Sequence, residues 1–93
     1  MRLNSLAGLI LEPQIEKMGL CLADLRVGQE AVVVAITDPG LRVSLLRMGL
    51  LEGDRVRLTE QAPMGGPMAF RVQGGKVAMR RSDAALVQIK MPA

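Results

Sequence analysis

The sequence predicts a mainly β domain, a small closed or nearly closed barrel of about five short strands with one short helix after the first. Three observations carry that prediction. Short runs of β-branched or alternating residues recur at regular spacing between turn signals. Only Leu41–Met48 within the barrel region repeats its apolar residues at a helical period. With 93 residues the chain is one domain's length, and a domain this small buries a thin core.

The first twenty residues differ from the rest and are read as an N-terminal extension, 1–20, ahead of a barrel domain, 21–93. Leu3, Leu6, Leu9, Ile10, Ile15 and Met18 outline a short amphipathic helix broken at Pro13. An irregular extension is the alternative reading. Met1–Leu11 lacks a small-residue cleavage site, and Leu20 stands where a lipoprotein signal needs a small residue before Cys21. The expectation is a chain that is not exported.

Leu25-Arg-Val-Gly-Gln is a turn into the first strand, with Gly28 at its bend. Glu30–Thr37 holds AVVVAI, an apolar run suited to a strand covered on both faces. Asp38-Pro39-Gly40 stops it. Leu41, Leu45 and Met48 then form one apolar helix face, with Arg42 and Arg47 off it. Gly49 sits where a helix end takes left-handed geometry, and Leu50 follows as the apolar residue that closes such a cap. Gly53-Asp54 turns the chain into a strand in which Val56 and Leu58 face one way and Arg55, Arg57 and Thr59 the other.

Ala62–Pro67 is a loop. Met68, Phe70 and Val72 alternate with polar or small neighbours, and Gly74-Gly75 signals a two-residue hairpin. Val77 and Met79 return on the partner strand. Ser82 is placed to cap a short turn, and Leu86–Met91 is the last strand, with Val87, Ile89 and Met91 inward. The structural glycines of this scheme are Gly28, Gly49, Gly53, Gly74 and Gly75.

Composition excludes most chemistry. There is no histidine, so no imidazole base or ligand, and one cysteine cannot build a zinc or iron–sulfur site. Cys21 cannot form an internal disulfide and fits a reducing compartment as a small half-buried hydrophobe. Ser44 and Ser82 have no evident base, and no GxxxxGK[ST] occurs. The carboxylates are scattered without the spacing of a calcium loop. The reading is therefore no catalytic residue, no cofactor and no metal ligands within one chain. The net charge of +3, with Arg80-Arg81 its densest run, is a mild bias rather than a nucleic-acid stripe, and one aromatic residue offers little for base stacking. No stretch approaches the roughly 20 apolar residues that span a bilayer.

Four segments in order, LRVGQEAVVVAI (Leu25–Ile36), LRVSLLRMGLLEGDRVRL (Leu41–Leu58), APMGGPMAFRV (Ala62–Val72) and GGKVAMRRSDAALVQI (Gly74–Ile89), resemble the FeoA family of ferrous iron transport proteins. The resemblance covers about residues 22–91. It departs from the family pattern at Gly66, where an acid usually precedes the second proline, and in the first twenty residues, which have no counterpart. It implies an SH3-like barrel in the cytoplasm that accompanies FeoB, a large iron(II) permease with a GTPase part, and sits at the inner membrane through that partner. An SH3-like metal-sensing or nucleic-acid-binding module, related to the C-terminal domain of iron-dependent repressors, is the alternative.

A barrel without reactive side chains acts by contact. The candidate partner-binding residues are Arg42, Arg47, Leu50 and Leu51 at the helix corner, and Pro63, Met64, Gly65 and Pro67 in the loop, because arginine and large apolar side chains are enriched in interface cores. The stiff loop loses little entropy on binding. Leu50 has a competing place in the core. Exposed methionine and leucine also leave room for homo-oligomers.

Overall fold

The computed structural model describes residues 20–92. The expectation of a helical extension over residues 1–20 falls almost wholly outside them. Five strands, β1 (Glu30–Ile36), β2 (Arg55–Gln61), β3 (Met68–Val72), β4 (Gly75–Met79) and β5 (Val87–Lys90), form one antiparallel sheet in the order β4-β3-β2-β1-β5. Helix α1 (Pro39–Arg47) joins β1 to β2, and the single turn α2 (Arg81–Ala84) joins β4 to β5.

The barrel stays open, because β4 and β5 lie at opposite edges of the sheet. The chain crosses between them through α2, whose Ala84 is fully buried and which packs on the 3-10 turn Leu22–Asp24. The edge of β5 is covered by the incoming chain: Cys21 bridges Gln88, and the Ile89 amide donates to the Leu20 carbonyl at 3.1 Å. Register shifts in β1 against β5, between Val33 and Ala35, and in β2 against β3, between Leu58 and Glu60, add twist that curls the sheet around its core.

The core lies on one side only. Leu58, Phe70 and Val77 stand in register across β2, β3 and β4, each at most 1% exposed. Burying one face of each strand is what alternating sequences do in an antiparallel sheet. The AVVVAI run is therefore not covered on both faces: Ala31, Val33 and Ile36 point inward while Val34 is 48% exposed.

Helix α1 begins two residues earlier than its apolar period indicates. Asp38-Pro39-Gly40 does more than end β1: Asp38 is the N-cap, its carboxylate accepting the Leu41 amide at 2.8 Å, and Pro39 occupies the first turn, where a missing N–H costs nothing. Asp38→Ala is expected to destabilise the domain by about 1 kcal/mol in urea unfolding.

The far end of α1 explains why two glycines sit four residues apart. Gly49 takes φ +92, its amide donates to Leu46 at 3.0 Å, and the Leu50 amide reaches back to the Leu45 carbonyl at 2.9 Å. This is a Schellman closure, with Leu45 and Leu50 both buried beneath it. Four residues later Gly53, φ +93, bends a turn closed by the Asp54 amide on the Leu51 carbonyl at 3.1 Å. The Gly53 amide then donates to Val33 at 2.7 Å and the Asp54 carbonyl accepts from Val33 at 2.9 Å, which fixes the corner to β1.

Smaller features differ from the sequence expectation. The β3–β4 loop is Gln73-Gly74, and Gly75 is not a turn residue but opens β4 opposite Val72. Ser82 does not cap α2; Arg80 is its N-cap residue, without a side-chain bond. Met48 and Met91 are 52% and 43% exposed rather than inward, because α1 and β5 both end before them.

Candidate functional site

The helix corner presents an apolar surface. On α1, Leu45 faces the core; Val43 and Leu46, three residues apart, point away from it and are 48% and 47% exposed. Met48 and Leu51 extend the apolar exposure into the corner. Exposed Arg47 lies on the same outward side as Val43 and Leu46.

The other corner candidates have structural duties. Leu50 is fully buried beneath the cap, so it is closed to any partner. Arg42 is tied to Glu52, Nε to Oε2 at 2.8 Å and Nη2 to Oε1 at 3.3 Å, a fork that clamps the helix to the turn after it. This hydrogen bond holds the Glu52 carboxyl below its ordinary range. A lowered carboxylate pKa contributes stability that is present above the unfolded-state value and lost as pH falls through the folded-state one. The stability gap between the wild type and Glu52→Gln should therefore close below about pH 4 in pH-dependent urea melts. The pair is partly exposed, so the gap stays small and shrinks with salt.

The loop residues form a second region. Pro63, Met64, Gly65 and Pro67 are all exposed, and Met64 projects fully into solvent with φ +59. Gln61 holds the loop shut from inside, its Nε2 donating to the carbonyls of Ala62 at 3.0 Å and Gly66 at 3.1 Å. At Gly66 an added Cβ would come within 2.7 Å of the Ala62 Cβ, so the acid usual at this position has no room in this loop conformation. The structure does not unite loop and corner. They lie at opposite ends of β2, whose seven residues separate them by roughly 20 Å.

Sequence reasoning missed Val43 and Leu46 and placed Met48 on the buried face. The signal was present: α1 carries apolar residues on both sides of its axis, more than one buried stripe requires.

Among the described residues no group of three His, Cys, Asp or Glu is placed to hold a metal ion. Burial pushes the Cys21 thiol up, and the hydrogen bond from its Sγ to the Asp24 carboxylate at 3.4 Å favours the protonated form further. A protonated thiol is a poor ligand. No helix among the described residues is long and apolar enough to cross a membrane.

A family model for the FeoA domain matches residues 20–91. A curated relative, a fusion of Fe(2+) transport protein A with the Fe(2+) transporter FeoB from Porphyromonas gingivalis, is 31% identical over 71 residues. That match takes in 75% of this chain but only 8% of the fusion's length. Among solved structures, the FeoA protein of Chlorobium tepidum superposes with a TM-score of 0.74 at 28% identity, over 80% of this chain and 71% of that one. FeoA of Stenotrophomonas maltophilia, a prokaryotic SH3 domain protein solved with zinc, superposes with a TM-score of 0.66 at 26% identity, over 76% of this chain and 89% of that one. The fold is thus SH3-like. The donor set for zinc is not found among the described residues of this single chain.

Proposed function

The chain belongs to the FeoA family, and on that premise we propose that it is a non-enzymatic accessory of ferrous iron uptake, docking from the cytoplasm on the core or GTPase part of a FeoB-type permease. Its contact surface on this reading is the outward side of α1 and the corner after it: Val43, Leu46, Arg47, Met48 and Leu51. One observation carries the reading. Of the nine large apolar side chains exposed among the described residues, four are grouped on one helix and its cap, where a partner's apolar surface would remove them from water.

Two further facts support it. In the fusion relative, the FeoA and FeoB portions share one polypeptide, which holds the two at high effective concentration. The chain also has no histidine to serve as an imidazole base or to activate a nucleophile. The loop Pro63–Pro67, with Met64 at its tip, is a second point of contact, roughly 20 Å from the first.

The test is retention of the purified chain by the immobilised cytoplasmic part of a FeoB-type permease from the same organism. Saturable retention is expected; no retention, from folded protein at micromolar concentration, would reject the reading.

A further inference from the structure

The outer face of the sheet carries an arrangement that folding alone does not explain. In register across four strands stand Glu30 on β1, Arg57 on β2, Arg71 on β3 and Lys76 on β4. Arg57 is directly opposite Arg71, and Arg71 directly opposite Lys76. Like charges facing each other across strands destabilise a sheet. Arg55 lies on the same face two residues before Arg57, and Lys90 on β5 faces Val32, which in turn faces Arg55. Five of the twelve basic residues thus share one side of a sheet in a chain whose net charge is only +3.

Neutralisation within the described residues is partial. Glu30 serves both Arg55, at 3.8 Å, and Arg57, at 4.0 Å, too far for a short hydrogen-bonded pair with either. The Asp54 carboxylate accepts the Leu51 amide at 2.9 Å and makes no ion pair among the described residues. Strands β3 and β4 contain no acidic residue, and Arg71 and Lys76 have no ion pair among the described residues. Arg55, Arg57 and Arg71 line an open cleft of about 940 Å³ together with the carboxylates of Glu30 and Asp54, and with Thr59 and Gln73; Lys76 stands beside it, opposite Arg71.

We propose that this cleft, with Lys76 at its side, binds an extended acidic segment of a protein partner, through its Asp or Glu side chains. Adjacent strands are roughly 4.8 Å apart, so the Arg57–Arg71–Lys76 row spans about 10 Å. Flexible guanidinium and ammonium ends across that span meet carboxylates on alternate residues of an extended chain, which recur every 6–7 Å or so. Gln73 supplies a donor and an acceptor for its main chain, and the Thr59 hydroxyl, whose proton goes to the Ala69 carbonyl at 3.1 Å, keeps an acceptor. Glu30 shows the same chemistry in miniature, one carboxylate shared by two guanidiniums.

Other polyanions suit the face less well. The chain's one aromatic side chain, Phe70, is buried and offers no stacking platform for bases. The cleft's large apolar residues Val56 and Val72 are buried, whereas binding at a bilayer surface rewards exposed apolar anchors. This site does not depend on the helix corner and goes beyond the permease reading.

The test is fluorescence anisotropy of a fluorescein-labelled octaglutamate peptide with the full-length chain at low salt. Saturable binding is expected, weakened at least tenfold by Arg71→Glu and by Lys76→Glu, and unchanged within twofold by Arg80→Glu, which lies outside the row. Arg71→Glu should also raise the melting temperature by about 2–5 °C, because it turns two repulsive cross-strand pairs into attractive ones. Absence of saturable binding by the wild type, or wild-type affinity in both row variants, overturns the proposal. So does tighter binding of a duplex oligonucleotide, or of phosphatidylglycerol vesicles, measured in parallel.

Discussion

Phe70→Ala is expected to remove roughly half of the domain's stability and to lower its melting temperature and urea midpoint accordingly. Phe70 is the one aromatic residue and is fully buried. It sits at the middle of the core, directly between Leu58 and Val77 on the flanking strands. Removing a buried phenyl ring costs about 3–5 kcal/mol, the lost transfer energy plus the cavity left behind. A domain of this size has a total stability on the order of 4–11 kcal/mol. The rest of the core is aliphatic and methionine, with no second ring to hold the strands in place. Phe70→Leu keeps most of the volume and should cost less than about 1.5 kcal/mol. Thermal melts and urea titrations followed by far-UV circular dichroism distinguish the two. A cooperative Phe70→Ala transition close to the wild-type midpoint would show that the core is organised around something other than this row.

The second large effect concerns docking. A Val43→Glu/Leu46→Glu variant is expected to lose retention by the permease's cytoplasmic part, its affinity falling about 100-fold or more. Each side chain is about half exposed and neither belongs to the buried core cluster. Placing two carboxylates into an apolar contact forfeits hot-spot burial and adds desolvation, and roughly 2.7 kcal/mol in total corresponds to that factor. Glutamate is a good helix former, so the melting temperature should move little. An unchanged affinity in a well-folded double variant would move the contact away from the helix. Met64→Ala, tested beside it, then reports whether the loop carries the contact instead.

Much of the local chemistry was legible. The alternation of Met68, Phe70 and Val72, and of Val77 and Met79, predicted which side of β3 and β4 is buried, because a strand's period of two needs no tertiary information. Gly49 and Leu50 predicted a left-handed helix end for the same reason: the Schellman closure is made by residues within six of each other. The helix start was read too late, since Asp38-Pro39-Gly40 serves equally as a strand stop and as a cap with proline in the first turn.

The sequence by itself determined the strand alternation, the corner built on Gly49 and Gly53, and the lack of any imidazole. Only the tertiary structure decided the rest. Whether Leu46 or Leu50 is buried depends on where the sheet lies relative to α1, and no spacing along the chain states that. The opposition of Arg57, Arg71 and Lys76 is a matter of strand register. These residues are 14 and 5 positions apart in a chain whose only visible basic run is Arg80-Arg81. Strand pairing sums charge across the sheet, perpendicular to the direction in which a sequence is read.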